Sequence, residues 1–263
     1  MTDTGKSDRP IRFHAAGSLR SAVQQILLTL PAGYNSQVEA TFGPAGLLRQ
    51  QIEDGEPSDV FASANMRHPE RLHRLGLFEA PTCFARNRIC AIARTDLGLT
   101  TTNLLEALLD DHVRIGTSTP GADPSGDYAL EVFDKINGLR PGAGAVLGTK
   151  ARHLVGGPQP LALPPGRFPA EWLIETGQAD VFLGYWSSAL PLRDDARLSI
   201  VDLPAECMVT ADYGIAVSVT ASSAARQLVK FMFSDSAQQI LEHQGFQRVS
   251  LDMRTSADPS QKA

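Results

Sequence analysis

The sequence is short of cysteine: Cys83, Cys90 and Cys207 are the only three in 263 residues. The number is odd and no pair is spaced C-x-x-C, so neither a disulfide framework nor a zinc site is expected. The thiols read as free and mostly buried, with a Cys83–Cys90 bridge reserved for an oxidising compartment. Positive charge is also in deficit, with 24 Lys+Arg against 29 Asp+Glu and a formal net charge of −5. No basic block offsets this, which excludes a nucleic-acid-binding surface. A small anionic ligand is not excluded, because a few well-aimed donors outweigh a diffuse charge of the wrong sign. Apolar runs such as Ala22-Val23 and Ile26-Leu27-Leu28 are broken by polar residues, far short of the roughly 20 needed for a membrane span. None of His14, His68, His73, His112, His153 and His243 pairs at metal-ligand helix spacing. No G-x-S-x-G elbow accompanies Ser187-Ser188 and Asp180. An enzyme, a cofactor and a directly bound metal ion are therefore not expected.

What is present is ordinary globular composition, 43% hydrophobic and 20% charged, with chain enough for two domains. Met1 to Pro10 has no apolar core and no cleavage pattern, so as written it carries no secretory signal. The expectation is either a cytoplasmic protein or one whose leader has been removed.

Short apolar strands alternate with helical patterns, the mark of an α/β fold. Ile11–Ala16 reads as the first strand, followed by helical spacing of Leu19, Val23, Ile26, Leu27 and Leu30, with Pro31 and Gly33 as stops. Further strands are expected at Val38–Phe42, Asp59–Ala64, Arg88–Ala93, Val113–Gly116, Asp180–Tyr185 and Tyr213–Val219. Helices are expected from about Leu47 to Asp54, from Ser125 as N-cap to a stop at Gly138, at Pro169–Thr176 and at Asp235–Gln244. The Pro/Gly-dense stretch Gly156–Gly166 reads as an ordered loop near a surface or cleft. Phe168, Trp172 and Phe182 read as core.

Three junctions share a design: Ala16-Gly17-Ser18, Pro44-Ala45-Gly46 and Pro124-Ser125-Gly126. Each ends a strand in small residues and begins a helix at once. First-turn N–H groups have no intrahelical partner, so several such termini aimed at one point bind an anion without Lys or Arg. Taken singly, each is also what an ordinary helix cap looks like.

In order along the chain, these motifs resemble those of the periplasmic molybdate-binding proteins of ABC transporters. The first is His14-Ala15-Ala16-Gly17-Ser18-Leu19. The second is Gly43-Pro44-Ala45-Gly46-Leu47-Leu48-Arg49-Gln50-Gln51-Ile52-Glu53, followed by Pro57–Ala64. The third is Pro124–Ala129 and the fourth is Gly184-Tyr185-Trp186-Ser187-Ser188-Ala189. Asp212–Val217 and Ile240–Phe246 are similar to the closing segments, so the resemblance spans roughly residues 11–250.

The resemblance implies a two-lobe α/β binding protein of the periplasmic-binding-protein type, with crossover strands and the ligand in a cleft between lobes. Lobe one is expected at 1–84 plus 216–263 and lobe two at 85–215. Carried over by position, Gly17 and Ser18 offer backbone N–H and hydroxyl, Ala45, Gly46 and Ser125 offer backbone N–H, and Tyr185 offers its phenol. Such a donor-only set suits a fully deprotonated tetrahedral oxyanion, molybdate or tungstate. The implied partner is an ABC permease, the expected state a monomer, and the implied location the periplasm. Two alternatives stand beside this: a binding protein for another small anion such as a carboxylate, and a leaderless cytoplasmic anion sensor.

Three departures from the family pattern bear on the ligand. Ala45 stands where the family supplies a serine hydroxyl. The stretch from Gly156 to Gly166 replaces the family's loop, and Arg167 falls near the helix start that should offer a backbone donor. Arg167 either enters the cleft, favouring a carboxylate, or is solvated at the helix start. Asp127, in the first turn after Ser125, either caps the helix from outside or turns inward against a dianion.

Overall fold

A computed structural model describes residues 9–31, 37–159 and 161–249; Gly33 and Pro160 lie outside the described residues. The chain forms two compact units: residues 1–86 with 212–263, and residues 87–211.

Along the chain, β1 (Ile11–Ala16) passes through a 3-10 turn (Gly17–Leu19) into α1 (Arg20–Leu28). Then come β2 (Val38–Gly43), α2 (Ala45–Glu53), β3 (Val60–Ser63) and α3 (Arg67–Arg74). Within the 13-residue β4 (Thr82–Arg94) the chain passes into unit two. That unit holds α4 (Leu104–Leu109), β5 (Ile115–Ser118), α5 (Pro124–Leu139), α6 (Ala143–Lys150) and β6 (Arg152–Val155). It continues with α7 (Pro169–Glu175), β7 (Val181–Tyr185), α8 (Trp186–Ala189) and β8 (Leu198–Asp202). The chain returns to unit one within β9 (Thr210–Val217), and α9 (Ser223–Phe231) and α10 (Asp235–His243) follow.

In unit one, β1 lies between parallel partners β2 and β3, and β9 runs antiparallel to β3, giving the order β2-β1-β3-β9. Strand β1 is buried along nearly its whole length, His14 included, with only Arg12 half-buried. Because β1 feeds β2 on one side and β3 follows on the other, the strand order reverses at β1. Crevices outside the carboxyl ends of strands at such a reversal are where open α/β sheets take ligands. Unit two has its own order, β8-β4-β7-β5-β6, with β7, β5 and β6 parallel and β4 antiparallel to β7 and β8.

Each unit has its own core. Phe13, Leu19, Ile26, Phe61, Leu72 and Tyr213 are fully buried in unit one, as are Ile89, Ile92, Leu104, Leu108 and Phe133 in unit two. Burying each such side chain is worth about 1.5–3 kcal/mol.

Several boundaries differ from the sequence reading. The N-cap of α5 is Asp123, not Ser125: Pro124 takes the first helical position, where its fixed φ fits and its missing N–H costs nothing. That helix also runs through Gly138 to Leu139. Helix α2 starts at Ala45 rather than Leu47, so its first turn contains the small residues themselves. The sequence reading has no counterpart for α3, α4, α6, β6 or β8. Strand β6 has two exposed and two half-buried residues, and α3 buries only Pro69 and Leu72, so neither shows an apolar period. Phe168 is 38% exposed rather than core, because it precedes the first turn of α7 instead of lying on its buried face. Cys83, Cys90 and Cys207 are all free. Cys83 and Cys90 stand seven residues apart on β4, about 23 Å along an extended strand, well beyond disulfide reach.

Candidate functional site

Unit one presents two of the expected junctions side by side. The parallel register pairs Ala16 with Gly43, so β1 and β2 end level and their following turns are neighbours. The Gly17 and Gly43 backbones are neighbours: a Cβ on Gly17 would make an ordinary contact, 3.8 Å, with the Gly43 carbonyl oxygen. Ser18 sits in the 3-10 turn, and its hydroxyl is hydrogen-bonded to the Tyr213 phenol at 2.9 Å. The N-cap of α2 is Pro44, which has no side-chain cap to offer; the first return bond is from Leu48 N–H to the Pro44 carbonyl. The earlier N–H groups of Ala45, Gly46 and Leu47 are therefore outside the helical ladder. The Arg20 guanidinium stacks on the Phe42 ring at 4.7 Å, placing a cation at the start of α1 beside the end of β2.

Unit two sets the first turns of α5 beside the end of β7. Tyr128 lies one turn along α5 from Ser125 and packs edge-on against Tyr185, ring centroids 6.3 Å apart. Tyr185 is buried at the end of β7. The segment after it is held to β4: the Asn87 amide donates to the Ser187 hydroxyl at 2.7 Å, and Arg88 stacks on Trp186 at 3.8 Å.

The start of α5 differs from what the sequence suggests. The Asp123 carboxylate accepts the Ser125 N–H at 3.1 Å, and the Asp123 carbonyl accepts the Gly126 N–H at 2.9 Å. Ser118 also donates its hydroxyl to this carboxylate, while burial pushes the Asp123 carboxyl above its ordinary pKa. The Ser125 N–H is thus committed within the chain. Asp127 accepts the Gly121 N–H at 2.8 Å, so it braces the preceding loop. Gly156, with φ +76°, packs so closely on Asp123 that a Cβ there would sit 2.5 Å from the Asp123 Cβ. The first part of the Pro/Gly-rich loop therefore seals the capping carboxylate.

Arg167 is placed among carboxylates. It pairs with Glu171 at 3.1 Å and with Glu175, and lies over Trp172 at 5.2 Å. Arg197 joins the same two glutamates. Among the described residues no group of His, Cys, Asp and Glu suits a metal ion, and no helix is long and apolar enough to cross a membrane.

Sequence reasoning missed Tyr213, Arg20 and Asp123. Asp123-Pro124 was a readable cap signal, since Pro favours the position just after an acidic N-cap. Tyr213 had no local signal, being 195 residues from Ser18.

The family described as bacterial extracellular solute-binding protein matches residues 11–247. An uncharacterized protein of Pasteurella multocida is 43% identical over 208 residues, covering 78% of this chain and 86% of that protein. The molybdate-binding protein ModA of Mycobacterium tuberculosis is 29% identical over 252 residues, covering 90% of this chain and 84% of that one. Among solved structures, the Azotobacter vinelandii periplasmic molybdate-binding protein has a TM-score of 0.72 at 18% identity, covering 91% of this chain and 100% of its own. The sulfate-binding protein SubI of Mycobacterium tuberculosis also has a TM-score of 0.72, at 17% identity over 94% of this chain and 89% of its own. The likeness to these structures carries the fold, the two-lobe α/β type.

Proposed function

The chain belongs to the bacterial extracellular solute-binding protein family, and we propose that it captures a tetrahedral oxyanion, molybdate or tungstate, for an ABC permease. The observation that carries this reading is the apposition of Gly17 and Gly43, which sets the Ser18 hydroxyl and the uncapped first turn of α2 next to each other. Two converging donor sources without a lysine or a carboxylate suit a small, fully deprotonated anion. In this reading Gly17, Ser18, Ala45 and Gly46 are the ligand donors of unit one, and the Ser125 hydroxyl and Tyr185 phenol are the donors of unit two. Arg167 belongs to the α7 ion-pair cluster and not to the donor set, since its charge is already matched by Glu171 and Glu175. The molybdate-binding name of the mycobacterial relative supports the choice of ligand.

One observation favours a second reading, an anion that keeps a proton or carries an organic group. Asp123 holds the Ser125 N–H and brings a carboxyl to the start of α5. A negative charge there disfavours a dianion more than a singly charged anion.

A thermal-shift panel of molybdate, tungstate, sulfate, phosphate and small carboxylates separates the two. A ligand at about 100 times its Kd stabilises the fold by about 2.7 kcal/mol. Molybdate and tungstate are expected to raise the unfolding midpoint. A shift with phosphate or a carboxylate, and none with these two at millimolar concentration, selects the second reading.

A further inference from the structure

The Ser18–Tyr213 hydrogen bond joins the start of α1 to β9, and its geometry permits either hydroxyl to donate. A hydroxyl has one proton and two lone pairs. If Ser18 donates to Tyr213, it turns only lone pairs toward a bound anion, which is repulsive. If Tyr213 donates, the Ser18 proton is released for the anion and its oxygen is polarised by the bond it accepts. We propose that Tyr213 is a positioning residue for oxyanion binding: its phenol donates to Ser18 Oγ and fixes the Ser18 hydroxyl as a donor toward the ligand. This rests on the reading above that Ser18 binds the anion.

The setting of Tyr213 supports the role. It is fully buried, and its ring meets Phe246 edge-on with centroids 5.3 Å apart and planes at 84°. Residues 214–217 of β9 pair with β3 in continuous antiparallel register, beginning at the Tyr213 neighbour Gly214. Gly214 in turn is packed against Met66 and Pro69 so closely that a Cβ there would lie 2.8 Å from the Met66 sulfur. Backbone and ring are thus both held, and the phenol oxygen reaches Ser18 from a fixed point. A phenol proton lies near the ring plane, so a fixed ring also restricts where that proton points.

The arrangement has a consequence for selectivity. A Ser18 hydroxyl obliged to donate rejects a ligand oxygen that itself bears a proton facing it. Freed from Tyr213, Ser18 can rotate and accept, so discrimination between fully deprotonated molybdate and hydrogen phosphate should relax.

The test is a double-mutant cycle of Ser18→Ala and Tyr213→Phe, with affinities for molybdate and inorganic phosphate read by titration calorimetry and the ligand-free unfolding midpoint as control. Tyr213→Phe is expected to weaken molybdate binding by about three- to tenfold and to lower the molybdate-over-phosphate ratio. In the Ser18→Ala background the same change is expected to alter molybdate affinity by less than about twofold. Unchanged affinity and ratio in Tyr213→Phe, with Ser18→Ala impaired, overturn the role of Tyr213 and leave the oxyanion reading standing. An equal penalty in both backgrounds also overturns it, because Tyr213 then acts through packing. Failure of the unaltered protein to bind molybdate, or full affinity in Ser18→Ala, overturns the reading of Ser18 itself and this inference with it.

Discussion

The Asp123 carboxylate accepts the backbone N–H of Ser125 at 3.1 Å, so the helix terminus expected to hold a foreign anion is capped by one from the chain itself. The Ser125 N–H is therefore not open to a ligand, and under the proposed function the donors expected from unit two are the Ser125 hydroxyl and the Tyr185 phenol.

Asp123→Asn keeps an acceptor for Ser125 and removes the charge. Affinity for molybdate is expected to rise, by about tenfold or ~1.4 kcal/mol if the full charge is felt. The unfolding free energy should fall by no more than about 1 kcal/mol, the usual worth of a cap. Calorimetry and denaturant unfolding on the variant check both. A tenfold loss of affinity would mean that the carboxyl engages the ligand directly.

Ser18→Ala and Tyr185→Phe each remove one hydroxyl donor. A hydrogen bond to a charged group is worth about 1.5–3 kcal/mol, so each Kd for molybdate should rise at least about tenfold. Neither change removes a core methyl group, but Ser18→Ala also removes the hydrogen bond to Tyr213, so the ligand-free protein should lose about 0.5–1.5 kcal/mol of stability. Unchanged affinity in both variants contradicts the donor set.

Ala45→Ser tests the opposite direction. Ala45 is the first residue of α2, in a turn without a side-chain cap. A hydroxyl there adds the donor that the resembling family supplies, and molybdate affinity is expected to increase by about tenfold. Titration of the variant beside the parent protein measures it, and a decrease would show that Ala45 packs against something other than ligand.

Stability should depend on pH through His68. Burial is the main cause that lowers its pKa from 6.5 to about 4, with Arg49 and Arg67 adding to the shift. Its Nε2 is buried without a hydrogen-bond partner. Between those values the unfolded chain binds a proton that the folded chain refuses, so stability is full above pH 6.5 and falls as the pH drops toward 4. His14 is shifted the same way by burial. Denaturant unfolding at pH 7.5, 6 and 5 should show this decline, and His68→Asn should flatten it; an identical slope in the variant rules out His68 as a contributor.

The strand-to-helix junctions were legible because small residues and abrupt changes of hydrophobic period are local signals. Strands β3 and β7 are readable as short apolar runs that end in Ser or Tyr, and β1 as a short strand stopped by Gly17-Ser18. Strand β6 and helix α3 were not, because half or more of each faces solvent and no apolar period survives. Ser125 looks like the cap in the sequence, but Pro124 at the first helical position makes Asp123, the residue before it, the N-cap. The company of Arg167 could be guessed from Glu171 and Glu175 at helical spacing, but its stacking on Trp172 needed the fold. The pairing of Ser18 with Tyr213 was beyond any sequence pattern, because only the closing strand β9 brings them together.

Under the proposed function the ligand is a fully deprotonated tetrahedral oxyanion, and the decisive experiment is titration of ligand-stripped, refolded protein with molybdate, with phosphate and a small carboxylate run in parallel. One molybdate per chain, bound at least tenfold more tightly than either competitor, is the result predicted. Saturable binding of phosphate or the carboxylate with no heat and no stabilisation from molybdate would contradict it.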